Sequence, residues 1–351
     1  MKKNKQKSAR LEKTLLFYSE SGTATVIGAV MLLGIIFSVL TIAWVDCVPE
    51  WKNDAEYSHM DDVWKDMAEL KSRVDVMSIV LASNSNCIPI NSLYSNCPAS
   101  DLVTSVSFHM GGSDIPFIAS MKSSGTLAVN KGKCVISIII NPDTTPKVKS
   151  VDCGTVTYTS QNGHYVDQVF SYENGALILD QEDQSVMMLY PSIRFSTIPT
   201  SGHNEYNVLI NAVSVHQNPK DLPEIISSNS ECSLRLTGIN YISLYDSEKD
   251  NLNDDKKNEP VSVDKFIMII TSNYPEAWIH YLNKAMADAK ISSEKYKVER
   301  LTGNNVRFTF TVAPATSKEK GSGGSNANPD IIKRMYISET VIKAEPGIGL
   351  V

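Results

Sequence analysis

Six histidines and six cysteines carry most of this chain's scope for metal, acid–base or redox chemistry. The histidines, His59, His109, His164, His203, His216 and His280, are scattered, and none stands at a metal-ligand or nucleophile–base spacing from a second candidate. G-x-S-x-G, H-E-x-x-H, the Walker loop and the dinucleotide fingerprint are all absent. The acidic run "DNLNDDKK" could offer oxygens to calcium. It places Leu252 at its third position and has no turn glycine, so it reads as a solvated surface loop. "KGSGGSN" has the glycines of a phosphate cradle, but no helix or Lys-Ser/Thr follows, so it reads as a linker. No catalytic, cofactor-binding or metal-ligating residue is assigned, no cofactor is expected, and the chain reads as non-enzymatic.

The cysteines are Cys47, Cys87, Cys97, Cys134, Cys153 and Cys232, with no C-x-x-C among them. An even number suits disulfides if the compartment is oxidising; reduced, buried thiols are the alternative. Cys87 and Cys97 enclose a short Pro- and Ser-containing loop, and Cys134 and Cys153 flank adjacent strand-like runs. Proximity predicts those two bridges and leaves Cys47 and Cys232 unassigned. The compartment depends on the elements that carry the cysteines.

The first of these elements is "SGTATVIGAVMLLGIIFSVLTIAWVDC", uncharged over residues 24–45. As a helix it would be roughly 33 Å long, enough for a bilayer core of about 30 Å. It is longer than a secretory h-region and ends without a small-x-small site, which argues for an anchor that is kept. Lys2, Lys3, Lys5, Lys7, Arg10 and Lys13 precede it against Glu12 and Glu20, which places the N-terminus in the cytoplasm and everything after Asp46 outside. With −6 on the whole chain and +4 on residues 1–45, the exterior part carries −10. That excludes nucleic acid as an expected partner.

Beyond the span, Met60, Val63, Met67, Leu70, Val74 and Met77 fall at helical spacing, with Asp61, Asp62, Lys65, Asp66, Glu69 and Lys71 mostly off the stripe. The spacing predicts a long helix over 46–83 that restarts or kinks at Pro49. Its apolar stripe would pack under the protein's own head or against neighbouring subunits. After residue 84 the pattern becomes short β-rich runs, among them "CVISIII", "YNVLINAVSVH" and "FIMIITS", with Asn174-Gly175 as a tight-turn signal. The expected head over 84–351 is a predominantly antiparallel β-sandwich with one packed helix in "TSNYPEAWIHYLNKAMADAK", capped by Ser272 or Asn273. Residues 246–260 and 316–330 read as loops. The fold class is thus α+β, in four stretches: 1–22, 23–45, 46–83 and 84–351.

"ESGTATVIGAVMLLGIIFSVLTIAWV" resembles the N-terminus of archaeal type IV pilin-like proteins. "VPEWKNDAEYSHMDDVWKDMAELKS", "DQVFSYENGALILDQEDQSVMMLYPSIRFS" and "SNYPEAWIHYLNKAMADA" are similar to later blocks of large pilin-like surface proteins, mostly hypothetical proteins of methanogenic archaea. The resemblance implies a class III leader, residues 1–22, cut on the cytoplasmic side by a prepilin peptidase between Gly22 and Thr23. Two positions depart from the pattern: Ser21 stands where a basic residue is usual, and Ile27 where bacterial pilins have Glu. The expected partners are the membrane, the peptidase and other pilin-like subunits. The expected role is structural or adhesive. An uncleaved single-pass binding protein is the alternative, and a surface enzyme the third reading.

Overall fold

The computed structural model describes residues 3–83, 102–111, 123–144, 146–182, 184–216, 224–249, 263–312 and 329–348, with side chains from residue 23 onward. The chain is α+β: one long apolar N-terminal helix precedes a set of mostly antiparallel sheets. Helix α1 (Lys3–Ile42) runs through a π turn (Ala43–Cys47) into α2 (Val48–Ser83) without a break. The helix does not restart at Pro49, one of the two outcomes its sequence position allows; a π turn lies just before it. Proline lacks an N–H and crowds the carbonyl four residues back, here within the widened turn. Val48 N–H donates five residues back, to Ala43 O, so the ladder is loosened just where Pro49 needs room.

Among the described residues sixteen strands follow: β1 (Val103–Phe108), β2 (Ser124–Val129), β3 (Val135–Ile140), β4 (Lys147–Asp152), β5 (Val156–Gln161), β6 (Val169–Glu173), β7 (Ala176–Gln181), β8 (Gln184–Leu189), β9 (Ile193–Thr200), β10 (His203–His216), β11 (Glu224–Ser228), β12 (Cys232–Asp246), β13 (Lys265–Thr271), β14 (Tyr296–Leu301), β15 (Asn305–Thr311) and β16 (Ile331–Gly347). Helix α3 (Pro275–Asp288) lies between β13 and β14. Three sheets result, in the orders β1-β12-β16-β10-β9, β11-β2-β5-β6-β7-β8 and β14-β15-β13-β3-β4. The β10–β16 pair is parallel.

Two apolar cores hold these elements. In one, Met60, Val63, Met67, Leu70, Val74 and Met77 of α2 pack with Val106 and Phe108 of β1, Leu127 of β2 and Phe170 and Tyr172 of β6. In the other, the inner face of the β14-β15-β13-β3-β4 sheet packs with Trp278, Leu282 and Met286 of α3. The first sheet serves both. β10 gives Val208, Ile210 and Ala212 to the α3 core and then Val213 and Val215 to the α2 core. β16 gives Met335 and Ile337 to the former and Ile342 and Ala344 to the latter. Successive strand side chains point to opposite faces, so this change of parity means that opposite faces are buried at the two ends of one sheet. Asn211 sits at the changeover on β10, where its Oδ1 accepts from Ser338 Oγ at 3.0 Å and Thr340 Oγ1 at 3.2 Å.

Candidate functional site

The apolar part of the long helix is bare. From Val26 to Val45 its large apolar side chains are 45–69% exposed. Thr23–Ser83 contains an eighteen-residue window of mean hydropathy 2.7, none of it buried, and is long and apolar enough to cross a membrane. A helix apolar all round and covered by none of the described residues matches hydrocarbon as a solvent. Gly28 and Gly34 have open space where a Cβ would stand. The inferred cut at Gly22 and Thr23 falls inside α1, on helical backbone.

The same helix is then seated on the head by buried polar contacts. Glu56, 2% exposed, accepts from the backbone N–H groups of Gly163 at 2.9 Å, His164 at 2.7 Å and Tyr165 at 2.6 Å. Burial pushes its carboxyl up, but the three N–H groups and His164 outweigh it and hold the group below the usual range. The Tyr57 and Tyr165 rings meet edge-on at 5.5 Å beside this contact. Nearly three turns further on, Asp66 Oδ2 accepts from His109 N–H at 2.8 Å and lies 2.9 Å from His109 Nδ1. His59 Nε2 lies 2.9 Å from His109 O. Burial raises the Asp66 carboxyl and lowers His59, while the Asp66 carboxylate raises His109. The sequence pattern set Asp66 and Lys71 off the apolar stripe; both are buried, Asp66 on His109 and Lys71 on Asp75 at 2.7 Å.

A third polar cluster lies where all three sheets meet. The Asn174-Gly175 turn forms as its sequence suggests, with φ of 48° and 76°. Its flanks do not face solvent: Glu173, Asn174 and Ala176 are 0–1% exposed. Glu173 Oε1 accepts from Ser272 Oγ and, at 2.6 Å, from Trp278 Nε1, while Oε2 has no partner among the described residues. Burial pushes this carboxyl from 4.5 up to about 7 against the two donors. Ser272 is therefore not the cap of α3. Tyr274 holds that position, and Ser272 Oγ instead accepts from Tyr274 N–H at 2.9 Å while holding Glu173. No local signal marked Glu173, because its partners are 99 and 105 residues away in sequence.

The expected bridges fare differently. Cys87 and Cys97 lie outside the described residues. Cys134 and Cys153 are neighbours, buried as two free thiols with no bond between them; Cys153 Sγ faces Asn174 Oδ1 at 3.6 Å. Cys47 and Cys232 are free thiols as well. Of the expected loops, residues 250–260 and 316–328 fall outside the described residues. Asp330, at the end of the second, is pinned by Asn204 N–H at 2.7 Å and Lys295 Nζ at 2.9 Å.

No protein-family model, no curated protein and no solved structure matches the chain. Its function is therefore argued from its own geometry.

Proposed function

We propose that this chain is a pilin-like, membrane-anchored surface protein, its N-terminus cytoplasmic and its head outside, with a structural or adhesive role and no catalysis. One observation carries the reading: within one continuous helix, the 61-residue stretch Thr23–Ser83 leaves its first part bare and apolar and buries a stripe of its second part in the head's core. Such a helix immobilises the head relative to the bilayer, where a flexible linker would leave it free to swing. In lipid, bare helices from several copies can pack through small residues, which is the assembly step a filament needs. We read the head as a layered β-sandwich in which the α2 stripe acts as core and not as subunit contact, since head strands cover it.

The unbroken helix across Gly22 and Thr23 favours the second reading, an uncleaved single-pass protein, because a peptidase cleft takes extended backbone. Expression with and without a prepilin peptidase, followed by N-terminal sequencing from membranes, separates the two. The pilin reading expects a mature chain beginning at Thr23. A chain that keeps its first 22 residues beside an active peptidase contradicts it.

A further inference from the structure

β3 and β4 are antiparallel with Val135 opposite Asp152, so Cys134 and Cys153 are the next pair in the same register. Cys153 N–H donates to Cys134 O at 2.8 Å. Facing residues of an antiparallel pair have Cα atoms about 4.5–5.5 Å apart, within the roughly 4.4–6.8 Å that a disulfide spans. Both side chains leave on the face that takes Ile136, Ile138 and Val151 into the core, and both are fully buried.

We propose that Cys134 and Cys153 are a disulfide site, closed by exchange with a small-molecule disulfide oxidant while the head folds. One protein thiolate attacks a sulfur of the oxidant and releases a small thiol, leaving a mixed disulfide. The second protein thiolate attacks the protein sulfur of that mixed disulfide and releases the other small thiol. Two protein S–H bonds and the oxidant's S–S bond are lost; one protein S–S bond and two small-molecule S–H bonds are gained. The cysteines are oxidised by two electrons and the oxidant is reduced by two.

The surroundings set both the timing and the consequence. The Cys153 thiol and complete burial push the Cys134 thiol well above its ordinary range. The Cys134 thiolate is then scarce once the core has closed, and both sulfurs are buried out of an oxidant's reach, so exchange belongs to folding and not to the finished head. Closing the bond removes the hydrogen that Cys153 Sγ offers to Asn174 Oδ1. That oxygen keeps the Val213 N–H at 2.9 Å, so no buried acceptor is stranded. Cys153 O meanwhile accepts from Val215 N–H at 2.7 Å. The bond therefore clamps the β3–β4 end where it meets β10 and the Asn174 turn, the place where the three sheets join.

This goes beyond the anchoring reading; only the oxidant's presence in the cell depends on an exterior head, and the test supplies its own. The full chain in detergent is denatured, reduced, refolded with oxidised and reduced glutathione, alkylated and digested with trypsin. Lys147 and Lys149 lie between the two cysteines, so only a disulfide holds peptides 134–147 and 150–194 together. We expect that linked pair. We also expect reductant to lower the apparent Tm of the oxidised protein by roughly 5–10 °C, a shift absent from the Cys134→Ala/Cys153→Ala double variant. Both peptides recovered alkylated from protein that has refolded to native near-UV circular dichroism would overturn the proposal. So would either cysteine joined to a different partner.

Discussion

The lower and upper parts of the long helix share a backbone conformation and differ in what surrounds them. Between Val26 and Val45 the apolar side chains point in every direction and stay exposed, covered by none of the described residues of the head. In the second part Met60, Val63, Met67, Leu70, Val74 and Met77 form one stripe, each at most 3% exposed, while Asp61, Lys65, Glu69 and Arg73 face water. Composition alone separates the two: uncharged all round for lipid, one apolar face for a protein core. The seam is the π turn with Pro49, followed by the polar seat at Glu56, Asp66 and His109. Substitutions placed on either side of that seam should therefore have unlike effects.

The largest difference is expected from paired truncations. Leu70→Ala removes a fully buried side chain from the α2 core and should cost about 2–5 kcal/mol, lowering the Tm of the head by roughly 5–15 °C in thermal denaturation. Leu33→Ala in the bare part should leave that transition within about 1 °C of wild type. Equal shifts would mean that the two parts are not in different environments.

The next effect lies away from the helix, in the α3 core, and depends on pH. The Glu173 carboxyl titrates near 7 in the folded head against an ordinary 4.5. The folded state therefore holds its proton more tightly than the unfolded chain does. Its contribution is fully present below about pH 4.5 and is lost as pH rises through about 7, on the order of 3 kcal/mol in all. Glu173→Gln should flatten the fall in Tm between about pH 5 and pH 8. A variant whose pH profile matches wild type would show that another group carries the dependence.

A smaller and local effect is expected at the seat. Glu56→Gln puts an amide group among three N–H donors, costing about 1–3 kcal/mol, and should speed amide exchange at Gly163, His164 and Tyr165 ahead of the core strands. Because the Glu56 carboxyl is held low, wild type should also lose this contact as pH falls through the carboxylate range, whereas the variant should not.

The helix was legible in the sequence because its signals are local: an uncharged run and a three-four spacing of apolar residues. β3, β10 and β13 were legible for the same reason, as continuous or alternating apolar runs. β16, the centre of its sheet, was not. It buries one face at Met335 and Ile337 and the other at Ile342 and Ala344, so no single alternation runs along "IIKRMYISETVIKAEPG". The Asn174-Gly175 turn was readable as geometry, but its burial was not, since the residues that cover it come from other sheets and from α3. Glu173, Ser272 and Trp278 meet only through long-range packing, and Glu56 meets its loop more than a hundred residues on. Short-range spacing contains no trace of either contact.

The contrast between the two parts of the helix is tested most directly by depth. Tryptophan lies on both sides of the seam, Trp44 in the bare part and Trp64 beside Phe170 in the head. The full chain reconstituted in phosphatidylcholine vesicles with brominated acyl chains should lose part of its tryptophan fluorescence. Trp44→Phe should abolish most of that quenching, and Trp64→Phe should leave it unchanged. Quenching that survives Trp44→Phe and disappears with Trp64→Phe, or none in wild type, would contradict a helix with lipid around its first part and the head around its second.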